Sequence, residues 1–272
     1  MSLVTVVIPV YNGADFIAET VQCVLDQTFR DFELVILDNA SADQTVEIVS
    51  KFQDSRIRLV KNATNIGAQG NWNLALDQAR GKYFKLLCAD DLIYPSCLKE
   101  QVAVLEAPEN VSVSMVSARR DIINFSGNVL LKGHGLGFQN GKIPGKDAKR
   151  WVVRSGTNMI GEPSVVLLRS ELIQKAGRFD GSLPYLIDLD YWFKLLDLGD
   201  LYAMPETLGA FRVSAGSWSA SLTKKQAAQS QEFFRKHVSN GASLDFLVGS
   251  AKASAVAQLR RAFYVYARWM ER

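Results

Sequence analysis

Short apolar runs rich in β-branched residues alternate with amphipathic segments along the first 120 residues, and this alternation constrains the fold most. The runs predict strands at Leu3–Tyr11, Phe32–Asp38, Ile57–Asn62, Tyr83–Cys88 and Val111–Ala118. The intervening segments have helical spacing and predict helices over 14–27, 41–52, 70–79 and 95–106. Such alternation is typical of βαβ units, so we expect an α/β fold with a mostly parallel sheet covered on both faces.

Polar residues follow each of the first four predicted strands directly. The sequences there are PVYN, LDNAS, KNATNIG and CADD. In open α/β sheets, ligands bind beyond the carboxyl ends of the strands. We therefore expect Asp38, Asn65, Asp90 and Asp91 to converge on one rim of the sheet.

The composition indicates a folded protein and excludes several classes. Hydrophobic residues make up 48% of the chain, and the formal net charge of +3 suits a small anionic substrate better than nucleic acid. The three cysteines form no CxxC pair, which favours a reducing, cytoplasmic compartment. No apolar run approaches the ~20 residues of a membrane span, and the N-terminus lacks the basic region of a signal peptide. Neither GxGxxG nor GxxxxGK[ST] occurs, so a dinucleotide fold and a P-loop are disfavoured.

The second half of the chain is less regular. It predicts a loop and helix over 141–153, a strand over 163–170, a loop and amphipathic helix over 177–200, and short strands at 201–205 and 208–213. The last fifty residues have a helical pattern. Since no repeat or clear linker occurs, we expect one compact domain with a C-terminal helical extension.

The adjacent acids Asp90 and Asp91 have two interpretations. Asp91 could cap the helix predicted near Pro95. Alternatively, the pair could bind a divalent cation, because Mg²⁺ is typically held by one or two carboxylates together with substrate phosphates. The cation would offset the repulsion between the two negative charges.

Six motifs, in order, resemble glycosyltransferase family 2. They are VVIPVYN, LDNASADQT, NIG, CADD, EPSVVLLRSELIQKAGRFD and IDLDYWFKLL, and the resemblance covers about Leu3 to Ser221. It implies an inverting, metal-dependent enzyme with the GT-A fold, a three-layer α/β/α sandwich. It also implies a catalytic domain at 1–221, with a nucleotide-sugar half at 1–118 and an acceptor half at 119–221, followed by a helical extension at 222–272.

The resemblance implies a nucleotide-sugar site in the first half of the chain. Pro9 and Tyr11 match residues that line the base pocket, and Asp38 matches the carboxylate that binds the base. Asp90 is expected near the ribose or donor sugar, and Arg212 at the diphosphate. The full predicted set is Pro9, Tyr11, Asn12, Asp38, Asn65, Gly67, Asp90 and Arg212.

The resemblance also implies a metal ligand and a catalytic base. Asp91 matches the ligand of Mg²⁺ or Mn²⁺, and Asp188 matches the base that takes the proton of the acceptor hydroxyl. Without the resemblance, Asp188 is better interpreted as an acid favoured by the helix dipole. Asp190, two residues further on, is expected to point away and to be structural.

Three departures from the family pattern limit the predicted contacts. Trp72 stands where the family often has an Arg, so the donor-phosphate contact of that Arg is not expected here. Ser214 stands in place of a His, which leaves the metal with fewer protein ligands or with a water instead. Ile187 replaces the Glu that usually precedes the base.

The predicted partners follow from the resemblance. They are a UDP-, dTDP- or GDP-sugar donor and a glycan or lipid-linked glycan acceptor, with no nucleic acid, in bacterial cell-surface polysaccharide assembly. Specificity is expected in the loops at 133–145 and 177–187. The amphipathic segment Gln258–Arg272 either packs on its own domain or a second subunit as a homodimer, or lies peripherally at the inner face of the membrane.

Two other classes of function are alternatives to the glycosyltransferase. A sugar-phosphate nucleotidyltransferase usually has a basic, Gly-rich loop after the first strand, and PVYNGADF lacks the lysine or arginine. A catalytically silent nucleotide-sugar-binding domain would not need the intact acids Asp38, Asp91 and Asp188.

Overall fold

A computed structural model describes residues 2–214, 225–237 and 244–270. In this part of the chain the strands are β1 Val4–Val10, β2 Phe32–Asp38, β3 Ile57–Lys61, β4 Tyr83–Leu86, β5 Leu92–Ile93, β6 Val113–Ile123, β7 Val129–His134, β8 Gly141–Ile143, β9 Val166–Arg169 and β10 Asp200–Arg212. The helices are α1 Ile17–Leu25, α2 Thr45–Ser50, α3 Gly67–Leu76, α4 Cys97–Glu106, α5 Gly145–Ser155, α6 Ile173–Ala176, α7 Ile187–Leu196, α8 Gln226–His237 and α9 Leu244–Met270.

All described strands belong to one sheet, whose main order is β3-β2-β1-β4-β9-β6-β10-β5. Strands β3, β2, β1 and β4 are parallel neighbours, and β10 runs parallel to β6. Strand β9 is antiparallel to both β4 and β6. The parallel half brings the carboxyl ends of β1 to β4 to one edge, as predicted.

The sheet is covered on both faces because its strands are apolar on both sides. In β2, Val35 and Leu37 belong to one core, while Leu34 and Ile36 belong to the other. Helices α1, α2 and α4 cover the face of Leu34, whereas α5, α7 and α8 cover the opposite face. Each fully buried Val, Leu or Ile stabilises the fold by about 1.5–3 kcal/mol. The predicted three-layer α/β/α architecture is therefore confirmed.

Several local predictions need correction. The two short strands predicted near residues 201–213 are one strand, β10, with register irregularities between Met204 and Gly209. Strands β5, β7 and β8 were not predicted. Ser96, rather than Asp91, precedes the first turn of α4, so the helix-cap interpretation of Asp91 is wrong.

The two C-terminal helices pack on the rest of the molecule. Phe233 and Phe234 of α8 and Ala253 of α9 are buried in the core on the α5–α7 side. None of the helices in the described ranges is both long and apolar enough to span a membrane. The predicted domain boundary at 221/222 and the side chain of Met270 lie outside the described residues.

Candidate active site

The loops after β1 and β2 are joined by reciprocal hydrogen bonds. The backbone N–H of Asn12 donates to Ser41 Oγ at 2.9 Å, and the side-chain oxygen of Asn12 accepts from the N–H of Ala42 at 2.8 Å. Asn12 has φ 51°, a left-handed conformation that Asn adopts more readily than most residues. The predicted residue Asn12 therefore holds the rim of the site together.

The predicted base-pocket residues differ in depth. Pro9 is buried within β1, and Asp38 is buried at the end of β2, where it accepts a hydrogen bond from the N–H of Ser41 at 3.2 Å. Tyr11 is 51% exposed, so its ring is available for stacking. A carboxylate and an exposed aromatic ring at the ends of neighbouring strands are groups that can bind a planar ring that carries hydrogen-bond donors.

Asn39 anchors the loop that follows β3. Its side chain donates to Asn65 Oδ1 at 2.8 Å and accepts from Asn62 Nδ2 at 2.9 Å and from the N–H of Ile66 at 3.0 Å. Asn65 also accepts from the N–H of Gly67 at 2.8 Å. The predicted residues Asn65 and Gly67 are exposed at this rim, and the buried Asn39 that positions them was not among the predicted residues.

Asp90 and Asp91 follow β4 and face different surroundings. Asp90 is partly exposed, whereas Asp91 is fully buried and accepts a hydrogen bond from the N–H of Arg212 at 3.0 Å through Oδ1. Among the described residues, Asp91 Oδ2 is buried and has no hydrogen-bond partner. Burial and the neighbouring charge of Asp90 raise the pKa of Asp91 well above its ordinary value, and burial also raises the pKa of Asp90. This pair would be stabilised by a cation.

The expected contact between Arg212 and a diphosphate does not fit the structure. The guanidinium is 1% exposed and donates to the main-chain carbonyls of Asp90 at 2.9 Å, Asn124 at 3.1 Å and Phe125 at 2.8 Å. It also pairs with Glu19 at 2.6 Å. Arg212 therefore fastens the loop after β4 to the loop after β6, and its donors are used within the protein.

Asp188 lies in the first turn of α7 and is held by a residue from another segment. Asn158 Nδ2 donates to Asp188 Oδ2 at 3.0 Å, and Asn158 Oδ1 accepts from the N–H of Gly161 at 3.0 Å. Trp192 Nε1 donates to the carbonyl of Gly161 at 3.1 Å and fixes the same turn against α7. Asp190 pairs instead with Lys194 at 2.7 Å, which agrees with its predicted structural role.

A second acid, Glu162, lies near Asp188, and its negative charge is neutralised by Arg120. The buried Arg120 donates from Nη2 to Glu162 Oε1 at 3.0 Å, and the two form an ion pair. Desolvation and the negative charge of Glu162 raise the pKa of Asp188 to about 7. A carboxylate with this pKa is suited to accept a proton near neutral pH. Ile187 replaces the Glu that usually precedes the base in the family. In this chain an acid still lies near Asp188, but it is Glu162, which comes from a different segment.

The half-buried thiol of Cys88 is affected by the charges of two pairs of acids, Asp90 with Asp91 and Asp188 with Glu162. Burial raises its pKa well above the ordinary value, and the charges of Asp91, Asp90, Asp188 and Glu162 raise it further. The charges of all four carboxylates therefore act on one thiol, which is the link that the structure gives between the predicted metal residues and the predicted base.

A cavity of about 520 Å³ lies between the start of α3 and the turn that leads into α7. One wall is the start of α3, from Gly67 to Gly70, and the other contains Gly181, Pro184 and Ile187. Ile187 directly precedes Asp188 in the chain, but Asp188 itself does not line the cavity. Within the described ranges, no three His, Cys, Asp or Glu residues are grouped so that they could hold a metal ion by themselves.

Arg120, Asn158 and Glu162 were not among the predicted site residues. Asn158 and Glu162 are only four positions apart, within a short segment between α5 and β9, and Arg120 comes from β6. The three residues follow no regular spacing in the sequence, although Glu162 is the first residue of the motif EPSVVLLRSELIQKAGRFD.

Comparison with known proteins places the chain among glycosyltransferases. The model of the family described as glycosyl transferase family 2 matches residues 5–173. An Escherichia coli relative named UDP-Glc:alpha-D-GlcNAc-diphosphoundecaprenol beta-1,3-glucosyltransferase WfaP is 28% identical, over 85% of each chain. The chain spans only 64% of the length of an uncharacterised glycosyltransferase of Rickettsia prowazekii, to which it is 30% identical over 78% of its own length.

Solved structures share the fold. The chain resembles Staphylococcus aureus TarS residues 1–349 in complex with UDP-GlcNAc, with a TM-score of 0.69 and 18% identity over 90% of this chain and 68% of TarS. It also resembles the mannosyltransferase PcManGT of Pyrobaculum calidifontis in complex with GDP-Man and Mn²⁺, with a TM-score of 0.61 and 19% identity over 98% and 72% of the two chains.

Proposed function

The chain belongs to glycosyl transferase family 2 and has the GT-A fold, and on that premise we propose that it transfers a sugar from a nucleoside-diphosphate sugar to a hydroxyl acceptor with inversion. The observation that carries the proposal is Asp188, a carboxylate with a pKa of about 7 that is held in place by Asn158 in the first turn of α7. Its pKa and position suit a general base.

The donor would bind at the rim formed by the loops after β1, β2 and β3. The base would stack on the exposed ring of Tyr11 and donate hydrogen bonds to the carboxylate of Asp38, which is buried at the end of β2. Asn12, Asn65 and Gly67 would line the ribose side of the site, where hydrogen bonds to neighbouring loops hold them. Arg212 has no part in this proposal.

A divalent cation fits the residues after β4. The buried oxygen Asp91 Oδ2 has no partner among the described residues, and Asp90 next to it is partly exposed. Asp91 and Asp90 would hold Mg²⁺ or Mn²⁺ together with phosphate oxygens, since the described protein groups do not form a complete site. The bound cation would neutralise negative charge on the leaving diphosphate.

The transfer requires one bond to form and one to break. The acceptor oxygen bonds to the anomeric carbon from one side, and the bond from that carbon to the diphosphate oxygen breaks on the other, with the electron pair leaving on the nucleoside diphosphate. Asp188 takes the proton of the acceptor hydroxyl. Asn158 keeps Asp188 Oδ2 in place during this step, because the side-chain amide of Asn158 is itself oriented by a hydrogen bond from the N–H of Gly161.

We propose a lipid-linked glycan as the acceptor, in the assembly of a bacterial surface polysaccharide. The support is the name of the WfaP relative, which includes a diphosphoundecaprenol-linked sugar. The cavity between the start of α3 and the turn into α7 has about 520 Å³, enough for a sugar ring.

Titration with UDP-, dTDP- and GDP-sugars, with and without Mn²⁺, tests this function. Release of the nucleoside diphosphate from one donor is the expected result. Exchange of pyrophosphate would instead indicate a nucleotidyltransferase. Binding without turnover, even with acceptor present, would indicate a silent nucleotide-sugar-binding domain.

A further inference from the structure

Helix α9 is fastened to the acceptor-side half at both ends. Near its start, Gly249 lies directly against Val153 of α5, since a Cβ on Gly249 would meet the carbonyl oxygen of Val153 at 2.0 Å. Near its end, Phe263 packs on Ile122 and Val213. The helix therefore passes from α5 to the end of β6, where the β6–β7 hairpin turns.

Arg260 of α9 contacts two other segments of the chain. Its Nη2 donates to Thr157 Oγ1 at 2.6 Å, and its guanidinium lies 5.7 Å from the centre of the Tyr185 ring. Thr157 directly precedes Asn158, which binds Asp188, and Tyr185 lies in the turn that leads into α7. Two segments that position the candidate base thus also position Arg260.

The charge of Arg260 extends into the site. Burial opposes the ionisation of Glu162, but Arg120 and, more weakly, Arg260 hold the pKa of Glu162 below its ordinary value. Burial lowers the pKa of His134, and the positive charges of Arg120 and Arg260 lower it further. Arg260 therefore adds its positive charge to that of Arg120 near Glu162 and His134.

We propose that α9 forms part of the acceptor site and that Arg260 binds the phosphate that links the acceptor sugar to its carrier. The inference rests on the proposed function, because it takes Asp188 as the group that meets the acceptor hydroxyl. A sugar whose hydroxyl lies at Asp188 has its own anomeric phosphate across the ring. A guanidinium suits that group, because its planar donors match phosphate oxygens.

A binding titration without turnover tests the proposal. The probes are an alkyl diphosphate ester of N-acetylglucosamine and the neutral alkyl glycoside of the same sugar, each added with UDP and Mn²⁺ present. The variants are Arg260→Gln and Arg260→Lys, with Lys252→Gln as a matched control, since Lys252 is an exposed base on the same helix. Melting temperatures verify that each variant is folded.

The wild type should bind the diphosphate ester more tightly than the neutral glycoside, and this preference should weaken with salt. Arg260→Gln should reduce affinity for the diphosphate ester by roughly 10- to 100-fold, the usual worth of a charged hydrogen bond, and leave the neutral glycoside unchanged. Arg260→Lys should retain part of the affinity, and Lys252→Gln all of it.

Two results would overturn the proposal: equal affinity of the wild type for both probes, or an Arg260→Gln variant that weakens both probes alike. UDP affinity should be the same in all variants, because Arg260 is assigned to the acceptor and not to the donor. Donor turnover, measured on the same preparations, tests the glycosyltransferase function separately. A failure of the proposed role of Arg260 is therefore distinguishable from a failure of the proposed function.

Discussion

Asn158 and Asp188, which lie 30 positions apart in the chain, meet through a hydrogen bond of 3.0 Å from the side-chain amide to the carboxylate. The same amide group is held by the main chain of Gly161 at both its oxygen and its nitrogen. The other oxygen, Asp188 Oδ1, accepts from the N–H of Leu189 at 2.7 Å. Burial and, after it, the charge of Glu162 next to this turn raise the pKa of Asp188. One short segment between α5 and β9 thus contributes to both the position and the basicity of the candidate base.

The rate of transfer should depend on pH through Asp188. Burial and Glu162 raise the pKa of Asp188 to about 7, and only the ionised form can accept a proton. We expect kcat/KM for the acceptor to rise about tenfold per pH unit below pH ~7 and to level off above it. Glu162→Gln removes a negative charge and leaves the positive Arg120 nearby, so the midpoint should move to lower pH.

The control for this profile is Asp190→Asn. In this variant, too, a carboxylate becomes an amide, two positions from Asp188, but Asp190 is paired with Lys194 at 2.7 Å. The midpoint of the pH profile of Asp190→Asn should therefore remain that of the wild type. A midpoint that stays fixed in Glu162→Gln, or that moves equally in Asp190→Asn, would remove Glu162 from the control of Asp188.

The cation proposal predicts that Asp91→Asn weakens donor binding only when Mn²⁺ is present. The Asn side-chain oxygen can still accept the hydrogen bond from the N–H of Arg212, so the fold should be retained. Asp90→Asn should have a similar effect, because Asp90 is the partly exposed member of the pair. Calorimetric titration with a nucleoside diphosphate, with and without Mn²⁺, measures both.

Asp31→Asn serves as the control, since Asp31 is an exposed acid at the opposite end of β2. It should leave the effect of Mn²⁺ unchanged. If Asp91→Asn and Asp90→Asn both retain the full Mn²⁺-dependent gain in affinity, the cation is not held there.

Arg212→Met should reduce stability rather than donor affinity. The substitution leaves three main-chain carbonyls without their donor, and each hydrogen bond to a charged group contributes about 1.5–3 kcal/mol. The partner Glu19 is half exposed, so its share is small. We expect the free energy of unfolding in urea to fall by about 3 kcal/mol or more.

The exposed Arg80 provides the matched control, and Arg80→Met should change stability by less than about 0.5 kcal/mol. Unchanged stability in Arg212→Met combined with a large loss of donor affinity would instead support the diphosphate contact expected from the sequence.

The parts of the site that the sequence predicted are those fixed by strand order. Tyr11, Asp38, Asn65 and Asp90 follow four strands that are parallel neighbours, and the apolar runs that define those strands are evident in the sequence. Parallel pairing alone brings their carboxyl ends together. No further packing information was needed to predict one rim.

The parts that were missed depend on packing between distant segments. Arg120 lies on β6 and Glu162 lies shortly before β9. The two meet because β6 and β9 are neighbours in the sheet. Likewise, the sequence indicates an Arg at the end of β10 but not that the loop at Asn124 and Phe125 wraps around its guanidinium. Neither arrangement leaves a local periodicity, so neither could be derived from spacing.

The most direct test of the proposed function is the transfer rate of Asp188→Asn, measured with donor affinity and unfolding on the same protein. Asn keeps the shape of the side chain and removes its basicity, so transfer should fall by roughly 10²–10⁴-fold while donor affinity is unchanged. The pKa of Asp188 is raised from 3.8 to about 7, so its ionisation reduces stability as the pH rises from about 4 to 7. The variant should therefore be at least as stable as the wild type at pH ~8. Transfer at nearly the wild-type rate would contradict the account and exclude Asp188 as the base.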